Sequence, residues 1–312
     1  MSLLIAFILL IIGLILLTRG ADYFIDNSAS FAEDKGISPH VVGVTIVAFG
    51  TSLPELLVSI ISSFQGYNDL ALGNIVGSNI SNIGLVLASS SFVFYYLLGT
   101  DVQPNSDSNK DSYVMILAVF LLIIFAQDNI INFVEGLAFF MLYIIYLVSL
   151  YYRSRNKSGN SGIDEQTSYN FLLGGLIAML IGAQLTVDSA VEMASHLGIS
   201  EMVIGLSVVA VGTSLPELAG TLSAAKKGHK EIAVGNVIGS NIANIFMVMG
   251  VLAMINDIAV EQWVLDTTIP LLMIITVATF GLIRVPFNRL SGSILYAFFL
   301  LFIYELTFVW EN

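Results

Sequence analysis

Residues 43–60 read GVTIVAFGTSLPELLVSI, and residues 205–222 read GLSVVAVGTSLPELAGTL. A second pair follows at the same offset of 162: GNIVGSNISNIGLVL at 73–87 and GNVIGSNIANIFMVM at 235–249. The offset also holds upstream, where Gly20 matches Gly182 and Asp26 matches Asp188. Gly36, Ile37 and Ser38 match Gly198, Ile199 and Ser200. The chain is therefore an internal duplication. Each half carries five apolar runs. Five is odd, so the second half enters a membrane from the opposite side, and the repeat is inverted about an axis in the membrane plane. Membrane proteins of this kind bind substrate near the midplane, at the repeat interface, through interrupted helices. A duplicated scaffold with no transport role is the plainer alternative.

The wider sequence fits a membrane. Of 312 residues, 56% are hydrophobic and 11% charged, with mean hydropathy +0.88. Soluble chains carry about 25% charged residues. The expected fold class is an all-α polytopic membrane protein with ten transmembrane helices. The approximate spans are 3–24, 38–64, 70–98, 112–126, 132–152, 170–194, 201–225, 232–255, 264–283 and 290–309. Residues 1–152 form the first five-helix repeat, 153–169 a cytoplasmic linker and 170–312 the second repeat. With this count all 11 Lys and Arg fall at loops on one side. The positive-inside rule makes that side cytoplasmic and puts both termini outside. The run from Leu3 to Leu17 lacks a basic n-region and a cleavage site, so it reads as a first span rather than a signal peptide. There is no cysteine, which excludes thiolate metal sites and disulfides. A net charge of −12 disfavours nucleic acid.

Glu55 and Glu217 fall in the middle of their spans. A carboxylate at that depth costs about 2.5–3.5 kcal/mol or more and usually marks a function. No Lys or Arg lies within a span to neutralise it, so the pair requires a bound cation or a proton. A half-protonated pair serving structure alone is the alternative. Thr51 and Ser52 precede Glu55 by about one turn, as Thr213 and Ser214 precede Glu217, so their hydroxyls can face the same point. Pro54 and Pro216 have no N–H and are expected to free the carbonyls of Gly50 and Gly212. Asn74, Ser78 and Asn82 recur every four residues, as do Asn236, Ser240 and Asn244, giving one polar stripe per half. Asn74 and Asn236 either join the ligands or hold the neighbouring broken helix. Asn79 and Asn241 lie off the stripe and read as scaffold. His40, His196 and His229 lie at loops. Oxygen-only coordination suits hard cations such as calcium and sodium, not zinc or copper.

These duplicated motifs resemble those of the calcium/cation antiporter superfamily, above all its prokaryotic sodium/calcium exchangers. The resemblance covers nearly the whole chain. It implies that Glu55 and Glu217 bind both ions, helped by Thr51, Ser52, Thr213, Ser214, Ser78 and Ser240. It also implies that the carbonyls of Ala48 and Ala210 serve outer sodium sites and that Asn82 lies beside the centre. The family often has Asp where this chain has Asn244, and potassium-dependent members use an acid there. Asn244 therefore speaks against potassium dependence and leaves two carboxylates at the centre. The linker at 153–169 is too short for the calcium-sensing domains of animal relatives.

The expected function is sodium/calcium antiport in the plasma membrane by alternating access, electrogenic at three Na⁺ per Ca²⁺. Calcium, sodium and the bilayer are the expected partners, with no cofactor and no obligatory protein partner. A proton/calcium exchanger is the first alternative and a cation channel the second. An intramembrane enzyme finds no Ser/His or HExxH arrangement in the spans.

Overall fold

The computed structural model describes residues 2–64, 68–155, 168–196 and 210–308. It is almost wholly helical. Helix α1, Leu3–Lys35, starts at Ser2, whose hydroxyl accepts from the Ile5 N–H at 3.4 Å. It ends at Gly36, a left-handed residue (φ 60°, ψ 30°) whose N–H reaches back to the last turn. It thus runs well past the expected boundary at residue 24. The added turns carry Asp26, Glu33 and Asp34 on an exposed face, while Ile25, Ala29 and Ala32 stay buried, so the helix continues as an amphipathic one.

Next come α2, Pro39–Thr51, and α3, Leu53–Phe64, bent 42° from each other. Helix α4, Asn68–Ser81, runs through a π-helical stretch, Asn82–Leu87, into α5, Ala88–Leu98. Helices α6, Ser106–Phe125, and α7, Phe133–Arg155, complete the first half. The second half holds α8, Tyr169–His196, then α9, Ala210–Gly212, and α10, Leu215–Lys226. Helix α11, Lys230–Ala243, passes through the π-helical stretch Asn244–Met249 into α12, Gly250–Ile255. Helices α13, Ile269–Leu282, and α14, Arg289–Phe308, follow. Short strands β1, Ile130–Ile131, and β2, Ile258–Ala259, pair antiparallel and tie the loop between α6 and α7 to the loop between α12 and α13.

Seven helices among the described residues are long and apolar enough to cross a membrane, or eight if the bent pair counts as one span. The expected span 201–225 is described only from residue 210, and 290–309 only to residue 308. Most of the expected linker, 156–167, also lies outside the described residues.

Burial is inverted relative to a soluble protein. Leu4, Val134 and Phe64 expose 68%, 72% and 71% of their surface, whereas Glu55, Glu217, Asn82 and Asn244 expose none. Lipid accepts the apolar exterior, and the polar groups are left to serve one another or a solute inside. Helices α1 and α8 pack closely on each other. A Cβ on Gly20 would lie 2.4 Å from the Met179 backbone nitrogen, and one on Gly182 would lie 2.2 Å from that of Leu17. Only glycine permits this approach. Leu17, Phe24 and Met179 anchor an apolar cluster separate from the larger one around α4, α6, α7 and α11–α14.

Candidate ion-binding site

Both GTSLPE segments break their helices at the serine. Ser52 has φ −84° and ψ 7°, and Ser214 has φ −86° and ψ 6°. A new helix starts at the following leucine, placing Pro54 and Pro216 in its first turn, where a missing N–H costs nothing. The prolines therefore begin helices here. Glu55 and Glu217 come next, at equivalent depths in the first turn of α3 and α10, where the helix dipole favours a carboxylate. The other wall is built where α4 and α11 give way to π-helical turns. These turns start at Asn82 and Asn244, and such irregularities frequently accompany functional sites.

The two halves interlock at this point. Ser52 Oγ donates to Glu217 Oε1 at 2.9 Å. Thr51 Oγ1 lies 3.2 Å from Asn236 Oδ1, and Thr213 Oγ1 lies 3.1 Å from Asn74 Oδ1. Ser78 and Thr213 hydroxyls are 3.4 Å apart, and Ser240 Oγ reaches the Ala48 carbonyl at 3.5 Å. Asn244 Nδ2 donates to Asn79 Oδ1 at 3.4 Å. Each contact joins one half to the other. The Ala48 carbonyl also accepts the Ser52 N–H at 3.0 Å. Ala210 opens the short helix α9, and residues 205–209 of its motif lie outside the described residues.

Several oxygens at this junction are buried without a hydrogen-bond partner. They are both carboxylate oxygens of Glu55, Glu217 Oε2, Ser214 Oγ, Asn82 Oδ1 and Asn244 Oδ1. Unpaired buried carboxylates cost several kcal/mol, so this cluster is built for a positive partner. The ion pairs among the described residues fall elsewhere, such as Asp111 with Arg153 and Asp26 with Lys227. Two carboxylates among neutral hydroxyl and amide oxygens form a donor set for a hard cation. A cavity of about 300 Å³ opens beside them, lined by Pro54, Val58, Gln184, Asp188, Gly212 and Thr213.

Some residues differ from their expected places. Asn79 accepts from Asn244 of the other half and so supports it from off the stripe, whereas Asn241 bonds back to Val237 of its own helix at 2.8 Å. Ser59 and Thr221 were not singled out, yet they accept from Asn74 and Asn236 at 2.9 Å each. Their signal is a hydroxyl one turn after each glutamate, at the repeat offset. His40 is not in a loop but in the first turn of α2, fully buried. Its ring lies 2.7 Å from Asp111 and 3.3 Å from Ser108, with Arg153 on the other Asp111 oxygen. That charged partner explains how it is tolerated in the interior.

A family profile described as sodium/calcium exchanger protein matches residues 5–152 and 167–308. The sodium/calcium exchanger MaX1 of Methanosarcina acetivorans is 31% identical over 97% of this chain and 99% of its own. The inner membrane protein YrbG of Escherichia coli is 34% identical over 81% of this chain and 80% of its own. Among solved structures, the sodium-calcium exchanger NCX_Mj superposes with a TM-score of 0.86 at 33% identity, covering 98% of this chain and all of its own.

Proposed function

The chain belongs to the sodium/calcium exchanger family, as a multi-pass membrane cation/calcium antiporter, and on that premise we propose how it works. Sodium and calcium compete for the same two carboxylates, Glu55 and Glu217, which face one side of the plasma membrane at a time. The observation that carries this is the pair of fully buried glutamates, Glu217 accepting from Ser52 of the other half, with unpartnered oxygens on both and, among the described residues, no basic side chain on either.

The remaining ligands are Thr51, Thr213, Ser52, Ser214, Ser78, Ser240, Asn82 and Asn244, with the carbonyls of Ala48 and Ala210. Ten spans in two inverted repeats, 1–152 and 170–312, place both termini outside. One Ca²⁺ cancels the two negative charges. Three Na⁺ leave the site at +1, so each cycle moves one charge, and 100 mV biases exchange by about 2.3 kcal/mol. Asn244 offers no third carboxylate, and transport is independent of potassium. Helices α1 and α8 slide as a unit over the rest, and their backbone-close packing supports such motion as a rigid pair.

Glu55→Gln and Glu217→Gln test the site. Each removes half its charge, at a cost of about 3–5 kcal/mol, or more than about 100-fold in calcium flux. Near-normal flux in a folded variant would refute the assignment.

A further inference from the structure

Asn74 and Asn236 make matching sets of hydrogen bonds. Asn74 Nδ2 lies 3.3 Å from the Glu55 carbonyl and 2.9 Å from Ser59 Oγ, and Asn74 Oδ1 faces Thr213 Oγ1 at 3.1 Å. Asn236 Nδ2 lies 3.4 Å from the Glu217 carbonyl and 2.9 Å from Thr221 Oγ1, and its Oδ1 faces Thr51 Oγ1 at 3.2 Å. The first two bonds stay within one half of the chain, and the third crosses to the other. Both amides are buried. Their orientation follows from the partners: a carbonyl can only accept, so the nitrogen must face it, and the oxygen is left for the threonine.

We infer that Asn74 and Asn236 are positioning residues that brace the two halves of the ion site against each other and so set its size selectivity. One amide fixes two things at once. It holds the main chain at the glutamate of its own half, and it takes the single hydroxyl proton of the opposite threonine. That threonine then presents only lone pairs to a cation. Without the brace its hydroxyl turns to its own helix; Thr51 Oγ1 already lies 3.3 Å from the Ala48 carbonyl. Calcium demands oxygens at about 2.3–2.6 Å. Two halves held at fixed spacing reject a larger divalent ion, and loosening one brace relaxes that rejection. The brace presupposes the exchanger proposed above.

The test is a double-mutant cycle on the full-length protein in proteoliposomes, reading half-saturating calcium and the preference for calcium over barium. Asn74→Ala and Thr213→Val are each expected to weaken calcium by about tenfold and to narrow the calcium/barium ratio. The double variant should lose clearly less than the sum of the two singles, because both remove the same bond. Ser59→Ala removes a bond within one half, so alone it should leave the ratio unchanged, and its calcium loss should add to that of Thr213→Val. Asn236→Ala with Thr51→Val repeats the cycle from the other side, and Asn74→Ser replaces Asn74→Ala if the alanine does not fold. Additive losses for Asn74 and Thr213, or an unchanged calcium/barium ratio in folded variants, would overturn the brace. A wild-type protein without sodium-dependent calcium flux would instead overturn the exchanger beneath it.

Discussion

The segments GTSLPE at 50–55 and 212–217 are identical in sequence and differ in their surroundings. Glu217 accepts a hydrogen bond from Ser52, whereas the mirror contact, Ser214 to Glu55, is not made and the Ser214 hydroxyl is unpartnered. The difference extends outward. Asp22 and Asp26 of α1 are tied to α10: Ser223 Oγ lies 2.7 Å from Asp22, and Lys227 Nζ lies 2.7 Å from Asp26. Their repeat counterparts are Gln184 and Asp188 of α8. These bond only to each other among the described residues, at 2.8 Å, and line the cavity of about 300 Å³. Among the described residues one mouth is tied by these contacts and the other holds the cavity. A duplicated sequence that serves two sides in turn must be unsymmetrical in any one conformation, and the asymmetry appears where a sliding α1–α8 pair would meet the rest.

The comparison breaks most completely if the α1–α8 contact is forced apart. Gly20→Leu and Gly182→Leu each drive a side chain into backbone at under 3 Å. Overpacking of that kind costs about 1–3 kcal/mol or more, and transport should be lost in both. Retained flux in either would show that the pair does not need its close approach.

A smaller effect sharpens the comparison at the centre. Ser52→Ala removes a hydrogen bond to a carboxylate worth about 1.5–3 kcal/mol, or about 10- to 100-fold in affinity for ions entering from the cavity side. Ser214→Ala should cost far less from that side and should exceed Ser52→Ala from the opposite one. Equal effects from both sides would mean the asymmetry is incidental.

The smallest effect is at the tied mouth. Lys227→Gln removes a partly exposed ion pair worth about 0.2–1 kcal/mol, which shifts the balance of conformations by roughly 1.4- to fivefold. Labelling of a cysteine placed at Asp188 should fall by that factor, and added salt should shrink the difference. Unchanged labelling would remove Lys227 from the closure.

The helical fold, the duplicated halves and the paired glutamates were legible because polar groups in apolar runs are costly enough to stand out. Ser78, Ser240, Asn82 and Asn244 were legible from their four-residue spacing. The roles of Asn79, Ser59 and Thr221 were not, because their partners lie on other helices and spacing along one helix says nothing of them. His40 was misplaced because its partner Asp111 is 71 residues away. The prolines were read as freeing the carbonyls of Gly50 and Gly212; spacing did not show that the serine before each pair of leucine and proline ends one helix and that the proline starts the next.

The central claim is that sodium and calcium compete for Glu55 and Glu217. Its most direct test is calcium uptake into proteoliposomes loaded with sodium, with pH and potassium equal on both sides and the voltage clamped. An outward sodium gradient should drive uptake without potassium, vary with voltage as one charge per cycle requires, and vanish in Glu55→Gln. Uptake that ignores sodium and follows a pH gradient would contradict the account.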